Sequence, residues 1–186
     1  EPYRRQRQMC IRDSCYRQGD VVITPTEYSR ELLMKYDLHR EIYALTNGVD
    51  TEFFHKTEQA GGRFRIFFHL PVDKKVVISA GHLIHRKGIE DFLEMAKRMP
   101  DIIFLWFGGG NNALIPAEIK RAVAEKPENV IFAGFQPSGI LRDAYCGADA
   151  FAFFSYEETE GIVVLEALSC EIPVIVRDIP VYEKWL

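Results

Sequence analysis

Five short apolar runs, each separated from the next by a stretch of different character, most limit what this chain can fold into. They are VVISAG (76–81), IIFLWFGGG (102–110), NVIFAGF (129–135), AFAFFS (150–155) and PVIV (173–176). After the first, Ile89, Phe92, Leu93 and Ala96 share one face of a helix. A second helix starts near Pro116, and a third carries Ile140, Leu141 and Ala144. Strands this continuously apolar are buried on both faces, as in a parallel sheet with helices on either side. The predicted fold class is α/β, a Rossmann-like doubly wound parallel sheet. Such sheets bind ligands at the carboxyl ends of their strands, so the loops after the strands are the places to look for chemistry.

Upstream, residues 21–23 read as a short strand followed by a helix with Thr24 as cap, Pro25 in the first helical position and Glu27 closing a capping box. Tyr28, Leu32 and Tyr36 then recur every fourth residue on one face. IYALT (42–46) reads as a second strand, ended by the turn signal Asn47-Gly48. FRIFFHL (64–70) reads as a packing helix, with a membrane-touching surface as the alternative.

Composition excludes several classes. A hydrophobic content of 47% and a net charge of −4 do not fit a disordered chain. MCIRDS (9–14) resembles a translated sequencing adapter, so residues 1–14 are set aside as non-native sequence. Their four arginines against Glu1 and Asp13 carry +2, which leaves −6 on the remainder and disfavours a nucleic-acid partner. No apolar run approaches the roughly 18 residues of a membrane span. Cys146 and Cys170 lie in helical patterns without metal-ligand spacing and read as small buried residues. His69 and His85 lack spaced partners for zinc and read as exposed.

Two loops carry candidate chemistry. EETEGIVVLEALS (157–169) follows the AFAFFS strand and holds Glu158 and Glu166 with seven residues between them. Gly161 opens a helix, whose N-terminus offers N–H groups and a partial positive charge to an anion. Glu166 falls on the second turn, where an ionised carboxylate, an acceptor only, holds both hydroxyls of a diol. Taken alone, the segment is equally compatible with two solvated glutamates around an ordinary helix start. Glu157 and Glu160 read as exposed loop charges. The second loop is GHLIHRKGI (81–89), where Arg86 and Lys87 stand just before a helix and face the same sheet edge, placed to meet a diphosphate. Gly108, Gly109 and Gly110 follow a strand but lack the G-x-G-x-x-G spacing of a dinucleotide loop, and read as a flexible loop near the ligand.

Glu158-x7-Glu166 resembles the E-x7-E signature of the retaining glycosyltransferases of family 4, which have the GT-B architecture of two Rossmann-like domains across a cleft. ITPTEYSRELL, TNGVDTEFF, a strand leading to RKGI, ENVIFAGF and EETEGIVVLEA with PVIVRDIPVY are similar, in that order, to the bacterial branch that glucosylates diacylglycerol. The resemblance covers residues 20–186. It implies the C-terminal half of such an enzyme, truncated at both ends: residues 15–50 as the last strands and helix of the acceptor domain plus linker, and 51–186 as the nucleotide-sugar domain. It implies UDP-glucose as donor and a lipid acceptor at the inner face of the membrane, in a cytoplasmic, peripheral enzyme that uses no bound metal and no cofactor. By resemblance Glu166 holds the ribose hydroxyls, Glu158 a hydroxyl of the transferred sugar, and the backbone at Gly161, Ile162 and Val163 the diphosphate, together with Arg86 and Lys87. Lys87 matches the family lysine, but His82 stands where the family has arginine. Neutral imidazole does not replace a permanently charged fork of donors, so Arg86 is expected to compensate. Three other readings stay open. The glutamates could be a glycosidase pair, although both lie on one loop and helix rather than flanking a bond. A non-hydrolysing sugar-nucleotide epimerase and a non-catalytic nucleotide-binding module share the architecture.

Overall fold

The computed structural model describes residues 15–16, 18–110, 115–183 and 186. The segment set aside as non-native, 1–14, lies outside the described residues, as does Trp185. The chain divides into two compact units.

The first unit comprises Glu1–Asn47, Glu158–Glu160 and Ile179–Leu186. It contains two parallel strands, β1 (Val21–Thr24) and β2 (Glu41–Ala44), joined through helix α1 (Glu27–Met34). The helix starts two residues later than the sequence suggests. Thr24 is still a strand residue, paired with Ala44, and its hydroxyl donates to the carbonyls of Thr26 and Tyr43. Thr26, in extended backbone, is the cap instead and accepts from the Ser29 amide at 3.2 Å. The helix closes at Lys35, so Tyr36 falls beyond it, and no residue of α1 is buried. The segment Glu158–Glu160 is tied into this unit: the hydroxyls of Thr26 and Ser29 donate to the Thr159 carbonyl at 2.8 and 3.2 Å.

The second unit, Gly48–Glu157 and Gly161–Asp178, is built on a five-stranded parallel sheet. Its strands are β3 (Val76–Ala80), β4 (Ile103–Phe107), β5 (Val130–Gly134), β6 (Ala150–Phe153) and β7 (Val174–Val176), in the order β5-β4-β3-β6-β7. Helices α2 (Glu58–Phe67), α3 (Ile89–Arg98), α4 (Ala117–Ala124), α5 (Ser138–Gly147) and α6 (Ile162–Ser169) cover it. Alternation along the strands supplies both faces. Val77, Phe104, Trp106 and Ala152 form one cluster with Ile89, Phe92, Leu93 and Ala96 of α3 and Ile119 of α4. On the other face Phe107 meets Phe68 edge-on at 5.6 Å, and Phe151 meets Tyr145 of α5 at 5.4 Å. This is the doubly wound sheet that the apolar runs predict.

The aromatic segment at 64–70 does form part of a packing helix: Phe64 and Leu70 are buried. Ile66 and Phe67 of the same segment point to solvent. The chain order reverses between β3 and β6, which pair directly through Val77 with Ala150 and Ile78 with Phe151. At such a switch point the loops after the two strands diverge to opposite sides and leave a crevice.

Candidate functional site

The loops that follow β3 and β6 are stitched together. Residues 85–87 form a single turn of 3-10 helix that ends at Gly88 in the left-handed region (φ 69°). The Tyr156 amide and the Ser155 hydroxyl donate to the Arg86 carbonyl at 2.9 and 3.0 Å. In return the Arg86 guanidinium donates to the Glu157 carbonyl at 2.6 Å. Gly88 permits this contact, because a Cβ there would lie 2.2 Å from the Phe154 carbonyl oxygen. Asp91, in the first turn of α3, accepts from Tyr156 at 2.7 Å and from Arg177 at 2.6 Å, and the Arg177 guanidinium stacks 3.8 Å from the Tyr156 ring centroid.

Beside this seam, at the carboxyl ends of β3, β4 and β5, lies a pocket of about 490 Å³. Its lining includes Gly81, His82, Lys87, Gly109, Phe135 and Val163. Much of that wall is glycine backbone, which lets a ligand approach main-chain N–H groups closely. Gly108 is pinned: its φ is 98°, its amide donates to the Gly134 carbonyl at 2.7 Å, and a Cβ would sit 2.5 Å from the Gly81 carbonyl oxygen. The neighbouring Gly109 carbonyl lies 2.8 Å from His82 Nδ1. A carbonyl only accepts, so that nitrogen carries the proton and His82 braces the glycine loop. Lys87 lays its stem against Gly81 and holds its ammonium 5.0 Å from the Phe153 ring centroid, at the pocket wall.

Helix α6 begins at Gly161, in the left-handed region at φ 84°, and no side chain caps it. Val163 of its first turn lines the pocket, Ile162 is exposed, and Val164 and Ala167 are buried. Glu166, one turn on and half-buried, accepts from the Tyr145 hydroxyl at 3.1 Å. Burial pushes its carboxyl above the ordinary range, while the Tyr145 hydrogen bond pulls the other way.

The structure thus brings His82, Lys87 and Val163 to one pocket. Glu166, Gly161 and Ile162 are not among its lining residues, and neither is Arg86, whose guanidinium is bonded to the loop after β6. Glu158 is half-buried and belongs to the first unit. Glu160, expected to be an exposed loop charge, is buried in that same unit: it accepts from the Thr46 hydroxyl and from the amide and side-chain nitrogens of Asn47, at 3.1 and 2.5 Å for the latter two. Those donors compensate the charge for leaving water. Glu157 is exposed, as expected. Phe135, Gln136 and Leu141 line the pocket but are not among the candidate site residues read from sequence, where Leu141 is named only as a helix-face residue. Phe135 carried a usable signal, since it is the first residue past a strand at the ligand-binding edge, and it remains 89% exposed. Among the described residues no group of three or more His, Cys, Asp or Glu is placed to hold a metal ion.

A doubly wound sheet with a glycine-lined pocket at its carboxyl edge defines the class, and comparison with known proteins supplies the family. Residues 63–185 match the family of glycosyl transferases group 1. The chain belongs to that family. It is 42% identical over 169 residues to a processive diacylglycerol alpha-glucosyltransferase of Acholeplasma laidlawii, covering 90% of this chain and 51% of that protein. It is 32% identical to an alpha-galactosylglucosyldiacylglycerol synthase of Streptococcus pneumoniae, covering 88% and 44%. Among solved structures, Anabaena HepE in complex with UDP and glucose superposes with a TM-score of 0.83 at 16% identity, covering 97% of this chain and 50% of that one. The chain spans about half the length of the relatives it matches.

Proposed function

We propose that this chain is the donor-binding half of a retaining glycosyltransferase of family 4 that moves a hexose, glucose from UDP-glucose, onto diacylglycerol or glycosyl-diacylglycerol. The observation that carries the reading is the pocket at the carboxyl edge of β3, β4 and β5, lined by glycine backbone, Lys87 and the first turn of α6. A nucleoside diphosphate needs that combination: N–H groups free of side chains, a helix start and a cation. The family membership and the lipid glucosyltransferases among the relatives support the transfer and its acceptor.

In this reading the diphosphate lies along Gly161, Ile162 and Val163 at the start of α6, with Lys87 offsetting the charge that grows on the leaving group as the glycosidic bond breaks. Glu166 accepts from the ribose hydroxyls. Arg86 acts mainly by holding the loop after β6 in place rather than as the missing family cation. The role implied for Glu158, a hydroxyl of the transferred sugar, is tested in its own right by Glu158→Gln. The acceptor-binding half belongs to a longer protein, which is supported by the half-length coverage of the relatives. That protein works at the inner face of the membrane as a peripheral enzyme; among the described residues no helix is long and apolar enough to cross a bilayer. The sugar nucleotide is its substrate and no metal or cofactor is needed, so a chelator should leave the rate unchanged.

The test is an assay of the full-length protein with UDP-glucose and diacylglycerol vesicles. Glucosyl-diacylglycerol with the donor's anomeric configuration retained is the expected product. Epimerised UDP-sugar without lipid product, or UDP binding without turnover, would replace the reading with an epimerase or a non-catalytic module.

A further inference from the structure

Glu166 is not positioned by its own helix alone. Tyr145, near the end of α5, is 1% exposed and donates its hydroxyl to Glu166 Oε2 at 3.1 Å. Among the described residues it is the one hydrogen-bond partner of that carboxylate. Aromatic edges fix the ring on two sides, with Phe54 at 6.2 Å and Phe151 at 5.4 Å between centroids. A ring clamped in this way holds its hydroxyl in one place, and an ionised carboxylate that accepts there with Oε2 has further lone pairs with which to accept from a second donor. We propose that Tyr145 is a positioning residue for the donor site: its hydroxyl orients Glu166 and holds it as a charged acceptor for a vicinal diol of the bound nucleotide. This rests on the reading of Glu166 as the ribose-binding carboxylate.

Two consequences follow from the surroundings. Burial, and then the neighbouring carboxylate, push the Tyr145 phenol well above its ordinary value, so it donates throughout the working range. Burial pushes Glu166 up, and the Tyr145 bond opposes that shift. The other titratable groups nearby are Cys170 at the end of α6, with Cys146 and Arg142 of α5 facing it; Cys170 is pushed up to about 12 by burial and stays a thiol while Glu166 titrates. Without the phenol, Glu166 should take up its proton at higher pH. Diol binding needs the unprotonated acceptor, so the acid limb of nucleotide affinity should move to higher pH.

The experiment is calorimetric titration of the 186-residue chain, wild type and Tyr145→Phe, with UDP and with its 2′,3′-dideoxy analogue across pH 4–8. Tyr145→Phe keeps the ring and its packing. It is expected to weaken UDP about tenfold, the range of one hydrogen bond to a charged group, to leave the dideoxy analogue unchanged, and to shift the acid limb upward. Equal weakening of both ligands would mean a merely structural role and would overturn the proposal, as would unchanged UDP affinity. A wild-type chain that binds UDP but does not distinguish the two nucleotides would instead sink the ribose role of Glu166, and this proposal with it. Tyr145→Phe in a Glu166→Ala background, compared with Glu166→Ala alone, checks the coupling: no further loss of UDP affinity is expected, and an additional loss contradicts it. Should Tyr145→Phe not fold, the pH dependence of UDP binding in Glu166→Gln decides: loss of the wild-type acid limb is expected, and an unchanged acid limb overturns the proposal.

Discussion

At the scale of single residues, the donor site makes separable demands. Glu166→Gln keeps the volume but removes the charge that strengthens acceptance from two hydroxyls. Hydrogen bonds to charged groups contribute about 1.5–3 kcal/mol, so UDP affinity should fall roughly ten- to a hundredfold. Lys87→Ala in the full-length enzyme should lower the rate as well as the affinity, because its partner gains charge only as the bond breaks. A kcat unchanged in Lys87→Ala would remove that residue from the chemistry. Gly88→Ala is a backbone matter: φ is 69° and the new Cβ would meet the Phe154 carbonyl at 2.2 Å. A loss of about 3 kcal/mol in urea-measured stability is expected from strain plus clash. A loss below about 1 kcal/mol would show that the loops after β3 and β6 separate freely.

Much of this was legible in the residues themselves, and the failures share a cause. That Lys87, His82 and Val163 share one sheet edge is legible because each sits just past a strand or at the start of a helix, features that local sequence encodes. Glu160 reads as exposed in sequence because the groups that bury it, Thr46 and Asn47, stand more than a hundred positions away. The partner of Glu166 was invisible for the same reason, since Tyr145 lies on another helix and looks like any core aromatic. The hydrogen bond from Arg86 to the Glu157 carbonyl is likewise not legible in sequence, because that carbonyl belongs to a different loop.

At the scale of elements, the sheet's cover depends on one buried carboxylate as well as on apolar packing. Asp143 of α5 accepts a two-bond fork from Arg63 of α2 at 2.7 and 2.9 Å, and Arg142 adds two more bonds at 3.0 and 3.3 Å. Burial alone would raise its pKa, but the two guanidinium groups outweigh that and hold it below the usual carboxylate range. Asp149, bonded to Lys75 and to the Val76 amide, is lowered against burial in the same way. Both folded-state values lie below the unfolded ones, so the stability they contribute is present above about pH 4 and is lost as pH falls through the acid range. Asp143→Asn should lower stability by about 1–3 kcal/mol at pH 7 and flatten the acid limb between pH 5 and 2 in urea titrations. An unchanged acid limb would assign that dependence to other carboxylates. The five strands of the sheet and the buried face of α3 are legible in sequence because their burial is two-sided and their periodicity strong, although the apolar runs overshoot the strand ends, as 102–110 does β4 (Ile103–Phe107). The start of α1 was not, because two threonines two residues apart could each cap it, and only strand pairing at Thr24 settles which one does.

At the scale of the molecule, topology brings the separate signals to one edge. The order β5-β4-β3-β6-β7 puts the loops after β3 and β6 side by side at the reversal of chain order, although some seventy positions separate them along the chain. The central claim is that a nucleoside diphosphate occupies the pocket beside that seam. Its most direct test is amide NMR of the chain during titration with UDP, compared with uridine at the same concentrations. The expected result is a saturable set of shifts at Gly81, His82, Gly108, Gly109 and Val163, much weaker with uridine because the diphosphate contacts are absent. Saturable shifts confined to residues elsewhere, such as Arg30, Tyr36 and Tyr43 around the pocket of the first unit, or equal responses to UDP and uridine, would contradict it.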